Sequence, residues 1–325
     1  MNFALFQRPG TVVFLDDDSD YLETLALVLP RRWPVKFFLR PAECIHHLQQ
    51  EPPFWEADAW SQQRLVDQWQ GGKRLIPQIL EYWSRNTERY ALSRVCVLDY
   101  SMPGMDGLQV LAELTDWSGA RVLLTGQADE QIAVNAFNQG LIGRFIAKQT
   151  PDISRRLIEA VQHLMETPNE RHNQIWRATL GPVQSAMLRL APVQRELAAF
   201  AADRWVEHVV IGEPFGVLGM DADGHVSWLQ LETPDGLLAL CELAALEGIS
   251  PAGQADIRSG QKLVDLELRQ ALSLAPPDRW APAFPLGDPG TLIGAVFPVD
   301  PAYCPPLANS FAQWLSRQEP RHVRG

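Results

Sequence analysis

The stretch from Val95 to Leu108, V-C-V-L-D-Y-S-M-P-G-M-D-G-L, constrains the fold of this chain more than any other. It opens with a short apolar run, typical of a strand buried inside a parallel sheet, and the run ends on a carboxylate, Asp99. A turn containing Gly104 and Gly107 follows. Open α/β sheets place ligands just beyond the carboxyl ends of their strands, so Asp99 is a site candidate. The alternative is an Asp that only caps the next helix.

Polar side chains also follow three other apolar strands, and they are Asp16, Asp17 and Asp18, then Thr125, then Lys148. Adjacent carboxylates repel each other, and they tolerate proximity best when a hard cation lies between them. Mg²⁺ suits such a site because it binds through one or two carboxylates and keeps several waters. Five apolar strands that alternate with five helices predict a doubly wound parallel sheet, which brings these strand ends to one edge.

This order of an acidic pair, an Asp, a Thr and a Lys at successive strand ends resembles the receiver domain of bacterial two-component response regulators. The resemblance covers about Pro9 to Met165 and is interrupted by one insertion. It implies that Asp99 is the phosphoacceptor, a carboxylate nucleophile that accepts a phosphoryl group from a sensor histidine kinase or a phosphotransfer protein. It also implies that Asp16, Asp17 and Asp99 hold Mg²⁺, with Asp17 as the more direct ligand of the first two.

The resemblance implies roles for three further residues. Thr125 would hydrogen-bond one phosphoryl oxygen, and Lys148 would make a charge-assisted contact to another. Phe145, three residues before the lysine, stands where the family carries its aromatic switch residue. Gln149 follows the lysine where the family usually has proline, so the geometry of that turn is left open. Asp18 is interpreted as a solvated or capping residue.

An insertion from residue 49 to 93 separates the second helix from the strand that carries Asp99. It is rich in aromatic residues, and Gly71-Gly72 divides it into helical parts at Ala57–Gln70 and Leu75–Arg89. One interpretation is a helical hairpin packed on its own domain. The other is a docking or dimerisation surface.

The remaining chain is predicted to form a helical connector (168–208) after the receiver domain (1–167), and then an α+β output or sensor domain (209–325). In the connector, apolar residues follow the four-three spacing of a helix–helix seam: they are Trp176, Leu180, Val183, Met187, Leu190 and Leu197. A dimer seam and a linker with an intramolecular core both fit this spacing. Pro182 and Pro192 are expected at the first turns of new helical pieces.

The last domain begins with two strands joined by an Asp-Gly turn, between Gly216 and Leu229. The hairpin resembles the start of a PAS-type sensor domain. Helices are predicted at Leu237–Leu246 and Gln261–Leu272, a closing strand at Thr291–Val299, and a terminal helix at Asn309–Arg317.

Charge and composition narrow the function. The net charge of −11 over 325 residues argues against a nucleic-acid-binding surface. The basic residues at the carboxyl terminus, among them Arg317 and Arg321, are interpreted as a frayed tail. The cysteines form no C-x-x-C pair, and neither a signal peptide nor a long apolar run is present, so a cytoplasmic protein without a membrane span is expected.

The sequence therefore predicts a response regulator that acts through protein–protein contacts, with a homodimer as one form, or through ligand sensing. No helix-turn-helix, cyclic-dinucleotide or Walker motif is present to indicate another output. The alternative is an enzyme in the C-terminal domain whose activity the receiver gates. A pocket there that holds a perturbed acid or His beside a bound ligand would favour the enzyme, and a smooth apolar face would favour interaction.

Overall fold

The structure, a computed structural model, describes residues 3–126, 130–274, 279–288 and 290–321. The strands in chain order are β1 (Phe6–Gln7), β2 (Thr11–Leu15), β3 (Val35–Phe38), β4 (Ser93–Asp99), β5 (Ala120–Thr125), β6 (Arg144–Ala147), β7 (Glu207–Gly212), β8 (Phe215–Met220), β9 (Val226–Glu232), β10 (Lys262–Val264), β11 (Trp280–Pro282), β12 (Phe284–Leu286) and β13 (Leu292–Pro298). The helices are α1 (Ser19–Val28), α2 (Pro41–Gln49), α3 (Pro52–Gln70), α4 (Leu75–Arg85), α5 (Gly107–Ala112), α6 (Glu130–Asn138), α7 (Ile153–Glu166), α8 (Glu170–Arg177), α9 (Pro182–Met187), α10 (Ala191–Arg204), α11 (Pro234–Leu246), α12 (Pro251–Arg258), α13 (Leu266–Leu272) and α14 (Phe311–Ser316). The sequence also predicts a helix over Asp129–Asn138; it matches α6, and Asp129 itself lies outside the described residues.

The described chain divides into two compact units. The parallel-sheet unit contains residues 9–58, 88–167 and the segment from 315 onward, and the antiparallel-sheet unit contains 59–87, 168–314 and the residues up to Arg8. These units differ from the predicted domain boundaries at the insertion and at both ends of the chain. The start at Pro9 agrees with the start of the receiver resemblance.

The parallel-sheet unit is built on strands in the order β3-β2-β4-β5-β6, and every neighbouring pair is parallel. Both faces of the sheet are covered, α1 and α7 packing on one face and α2, α5 and α6 on the other. Strands buried on both faces must be apolar throughout, which explains the unbroken apolar runs in the sequence. The predicted doubly wound sheet of five strands is confirmed.

The antiparallel-sheet unit contains a sheet in the order β1-β7-β8-β9-β13-β12. The predicted hairpin is present as β8 and β9, which pair from Gly216↔Gln230 to Met220↔Val226. At the other side of the hairpin, β7 pairs with β8, and β1 pairs with β7 through Phe6↔Val209. The predicted α+β class is confirmed, while the PAS likeness stays a prediction that rests on the hairpin residues.

The insertion is helical as predicted, and it forms α3 and α4. The apolar face of α4 is buried in the core of the antiparallel-sheet unit, with Ile76, Ile79 and Trp83 each at most 1% exposed. This face is therefore used for internal packing and is not available for docking. Phe54 and Trp60 on α3 are exposed.

The connector is three short helices, α8 to α10, and Pro182 and Pro192 lie at their first turns as expected. Trp176 is buried, but Val183 is 55% exposed, so the four-three spacing does not form one continuous seam. Helix was expected up to His208, but α10 ends at Arg204 because the chain enters β7 at Glu207.

Two further expectations need correction. The segment predicted as a helix over Gln261–Leu272 begins as β10, because Leu263 pairs with Ala281 of β11, and only α13 is helical. The basic end of the chain is anchored as far as Arg321, whose guanidinium donates to the carbonyls of Ala26, Leu29, Pro30 and Trp33 at the end of α1. Within the described residues, no helix is both long and apolar enough to cross a bilayer.

Candidate functional site

The carboxyl-terminal edge of the parallel sheet collects the polar residues that the sequence singled out. Asp16 follows β2 directly, Asp99 is the last residue of β4, Thr125 is the last residue of β5, and Lys148 follows β6. The Lys148 amide donates to the Thr125 carbonyl at 2.8 Å, which joins the ends of β5 and β6. The parallel arrangement therefore brings these four strand ends together.

Lys148 joins two of the carboxylates. Its Nζ lies 2.7 Å from Asp16 Oδ2 and 2.8 Å from Asp99 Oδ1, so one ammonium donates to both side chains. Both aspartates are almost completely buried, and the lysine side chain is 27% exposed. Charge-assisted contacts this short in a partly desolvated site hold the three groups in a defined geometry.

Asp16, Asp17 and Asp99 also form an acidic group in which the ligand oxygens all lie within 4.8 Å of one another. Within the described residues, this is the one group of three His, Cys, Asp or Glu side chains that could hold a metal ion. Oxygen donors at this spacing fit a hard cation such as Mg²⁺, and the exposed Asp17 leaves room for bound waters.

Asp18, the next residue, caps helix α1. Its carboxylate accepts a hydrogen bond from the Tyr21 amide at 3.0 Å and so caps α1, while its own amide donates to Asp16 Oδ1 at 3.1 Å. An Asp just before a helix whose carboxylate accepts a hydrogen bond from an amide of the first turn is a common N-cap. This geometry agrees with the prediction that Asp18 is a capping residue, and it holds Asp16 in place.

Burial and charge act in opposite directions on the ionisation of this site. Burial raises the pKa of Asp16 and of Asp99, and the hydrogen bonds from Lys148 only partly offset it. Burial would lower the pKa of Lys148, but its hydrogen bonds to both aspartates outweigh that effect and raise it. The two carboxylates thus share one ammonium, and their negative charge is incompletely compensated, which also fits a second cation at this position.

Thr125 is the last residue of β5, and Phe145 lies on β6, the strand that Lys148 follows. The Thr125 hydroxyl is fully buried and has no hydrogen-bond partner within the described part of the chain. An unpaired buried hydroxyl costs stability, so its presence is consistent with a ligand oxygen that the hydroxyl contacts in another state. Phe145 is half-buried and packs against the core on the α2, α5 and α6 side.

Two residues near the site were not predicted to contribute. The ring of Tyr21, in the first turn of α1, lies 4.9 Å from Lys148 Nζ, and burial raises the pKa of its hydroxyl to about 12. Its only sequence signal is its position three residues after the cap. Gly107 approaches the backbone of Asp99 so closely that a Cβ there would lie 2.5 Å from the Asp99 carbonyl oxygen. Any larger residue at 107 would displace the end of β4.

A five-stranded doubly wound sheet with carboxylates after β2 and β4, a hydroxyl at β5 and a lysine after β6 defines a receiver-type fold. Over its whole length the chain is similar in structure to the response regulator LqsR of Legionella pneumophila, with a TM-score of 0.74, 22% identity, and coverage of 98% of each chain. The two chains therefore share the fold of both units.

Partial matches to isolated receiver domains align with about half of this chain. FixJ-N is 21% identical and matches 49% of this chain and 96% of its own with a TM-score of 0.33. A receiver domain protein of Clostridium thermocellum is 16% identical and matches 48% of this chain and 94% of its own with a TM-score of 0.30. Scores this low add nothing to the fold assignment. No family model and no curated protein sequence matches the chain.

Proposed function

We propose that this protein is a response regulator that accepts a phosphoryl group on Asp99 from a sensor histidine kinase or a phosphotransfer protein. The observation that carries the proposal is the contact of Lys148 with both Asp16 and Asp99 at 2.7 and 2.8 Å, beside the acidic group completed by Asp17. A nucleophilic carboxylate, a fixed ammonium and a set of oxygen ligands for Mg²⁺ are the parts that phosphoryl transfer to an aspartate needs.

The reaction balances with these groups. An oxygen of the Asp99 carboxylate forms a bond to phosphorus, and the P–N bond of the donor phosphohistidine breaks. The electron pair of that bond stays on the ring nitrogen, which takes a proton from solvent. Hydrolysis reverses the modification, because a water oxygen attacks phosphorus, the P–O bond to Asp99 breaks, and inorganic phosphate leaves as the carboxylate is restored.

The other residues bind and orient. Mg²⁺ held by Asp16, Asp17 and Asp99 would neutralise the charge that otherwise repels the phosphodonor. Lys148, which already contacts Asp99, can donate to a phosphoryl oxygen with a small movement. The Thr125 hydroxyl, buried and unpaired in the described structure, would donate to another phosphoryl oxygen.

The output is proposed to be a protein–protein contact or the sensing of a ligand by the antiparallel-sheet unit, and not DNA binding. The net charge of −11 supports this, because a DNA-binding surface needs a basic patch. The alternative, an enzyme in that unit, is supported by one observation, a surface cavity whose lining includes Glu267.

The test is labelling with a small phosphodonor such as acetyl phosphate in the presence of Mg²⁺. The protein should acquire one phosphate that is stable to acid and labile to base. Asp99→Asn should abolish labelling because the amide is not a nucleophile, while Asp116→Asn, at an exposed position of the same unit, should leave it unchanged. Undiminished labelling of the Asp99→Asn variant would exclude the assignment.

A further inference from the structure

A cavity of about 620 Å³ opens on the surface of the antiparallel-sheet unit. It lies among the α3–α4 turn, the β7–β8 turn and α13, and its lining includes Trp69, Lys73, Leu75, Glu213 and Glu267. Its volume lies in the range of roughly 300–1,000 Å³ that is typical of small-molecule sites, and its lining is mixed, with charged side chains beside Trp69 and Leu75. This cavity lies entirely within the antiparallel-sheet unit, whereas Asp99 belongs to the parallel-sheet unit.

Glu267 is the group in this cavity that points to a ligand. It lies in the first turn of α13, is partly buried, and receives no hydrogen bond and no ion pair from any described residue. Burial raises the pKa of this carboxyl, and the nearby charge of Glu213 raises it further. A carboxylate that is partly desolvated and lacks a partner is stabilised by a cation that enters the cavity.

A second buried carboxyl in the same unit is electrostatically coupled to Glu267. Glu232 on β9 is 5% exposed and accepts a hydrogen bond from Gln230 Nε2 at 2.7 Å. Burial raises its pKa to about 8, and the charge of Glu267 contributes to the shift. Gln230 Oε1 is fully buried and has no partner in the described part of the molecule.

A metal ion does not fit this arrangement. Among the described residues, the carboxylates of Glu213, Glu232 and Glu267 do not form a group with three oxygens close enough to ligate one ion. The cavity is also many times larger than an ion. A longer organic cation can reach separated carboxylates, and the partly buried indole of Trp69 in the cavity wall offers a face for a cation–π contact.

The two basic residues at the rim of the cavity, Lys73 and Arg74, do not neutralise the charge of Glu267. Lys73 Nζ donates to Gln68 Oε1 at 3.3 Å, and Arg74 donates to the Ser273 hydroxyl. Both side chains are exposed, so water screens their charge. Gly72, with φ at +94°, allows the tight turn that places them at the rim, and they would tolerate a ligand with an anionic outer end.

We propose that this cavity binds a small organic amine whose ammonium group pairs with Glu267 and packs against Trp69. The site is independent of phosphorylation at Asp99, and it would give the antiparallel-sheet unit a ligand of its own. The amine is the required element, and an anionic group at the other end of the ligand is compatible with Lys73 and Arg74.

The test is calorimetric titration of the full-length protein with 1,4-diaminobutane, 4-aminobutanoate and butanoate, which differ in the presence of an amine. We expect both amines to bind with a Kd of about 1 mM or tighter and to raise the Tm, and butanoate to do neither. Glu267→Gln should weaken amine binding about tenfold or more. Because that variant removes a disfavoured buried charge, it should still fold, and its Tm reports on this directly.

Glu247→Gln is the matched control, since Glu247 is exposed in the same unit and the net charge changes equally. Its amine binding should equal that of the unmodified protein. Absence of amine binding up to about 10 mM, or equal binding by a folded Glu267→Gln variant, would overturn the proposal. Asp99→Asn should bind the amines normally, so failure of this site and failure of the phosphorylation site are distinguishable.

Discussion

Lys148 and Asp99 are in direct contact, with 2.8 Å between Nζ and Oδ1. In the proposed phosphorylated state, this ammonium would be next to the group that carries the phosphoryl oxygens. Because this contact exists without a phosphoryl group, the proposed phosphorylation of Asp99 would have to be signalled by other groups as well. Asp17 is exposed, and the buried hydroxyl of Thr125 has no hydrogen-bond partner among the described residues.

The first prediction concerns the metal. Asp17→Asn should weaken Mg²⁺ binding about tenfold or more, because it removes one of three oxygens that lie within 4.8 Å of one another. Asp18→Asn should have little effect, since Asp18 caps α1 and Asn caps equally well. Titration with Mg²⁺, followed by tryptophan fluorescence, measures both. Equal losses in the two variants would mean that the ligand set has been misassigned.

The second prediction concerns transmission of the signal. Thr125→Ala should blunt the change in self-association or domain arrangement that the phosphate mimic beryllofluoride produces, while labelling of Asp99 stays largely intact. The reason is that the buried hydroxyl has no hydrogen-bond partner in the described part of the chain, so its contribution is expected only when a phosphoryl oxygen is present. In that state Phe145 could turn inward beside β6, held by packing because it lacks a hydroxyl.

Small-angle scattering and sedimentation with and without beryllofluoride measure this change. Thr125→Ser, which keeps the hydroxyl, is the control and should behave like the unmodified protein. Identical profiles with and without beryllofluoride in the unmodified protein would leave Asp99 as a phosphorylation site but remove this account of its output.

The fold of the parallel-sheet unit could be predicted because short stretches of consecutive residues indicate each of its strands. Each strand is a short apolar run followed at once by a polar residue, as in Leu15-Asp16 and Leu98-Asp99, and parallel pairing then brings the ends together. The acidic group and the position of Lys148 follow from that arrangement. Tyr21 was missed because its place beside Lys148 depends on how α1 packs, which no local pattern records.

The antiparallel-sheet unit was less predictable because its partners are distant in sequence. β1 is two residues long and pairs with β7 through Phe6↔Val209, about two hundred residues away. β10 lies inside a segment with helical spacing, and its pairing with β11 decides its conformation. The sequence predicts a helix from Leu75, where α4 begins, but it does not indicate which core that helix enters.

The third prediction concerns the end of α1. Arg321→Ala should lower the free energy of unfolding of the parallel-sheet unit by about 1 kcal/mol, because its guanidinium lies 2.9 Å from the Leu29 carbonyl and 2.8 Å from the Trp33 carbonyl. Partial exposure to water keeps the effect modest. Arg31→Ala, at an exposed position close to these carbonyls, is the control and should have little effect. Urea unfolding measures both, and equal stabilities would show that the tail is not anchored.

The last prediction concerns Glu232, whose buried carboxyl has a pKa raised to about 8 from an ordinary value of 4.5. The folded state therefore binds a proton more tightly than the unfolded state. The stability that this tighter proton binding contributes is complete below about pH 4.5 and is lost as the pH rises through about 8. Glu232→Gln keeps a neutral side chain beside Gln230 at every pH. The decrease in the free energy of unfolding with rising pH should therefore be smaller in this variant by at least about 1 kcal/mol.

Urea unfolding at several pH values between about 5 and 9 measures the slope of stability against pH. Glu242→Gln on the exposed side of α11 is the control, and its slope should match that of the unmodified protein. Glu267→Gln should also reduce the slope, because the charge of Glu267 helps raise the pKa of Glu232. A Glu232→Gln variant with an unchanged slope would show that this carboxyl is already ionised in the folded protein at neutral pH, and that its burial is offset by contacts other than the hydrogen bond from Gln230.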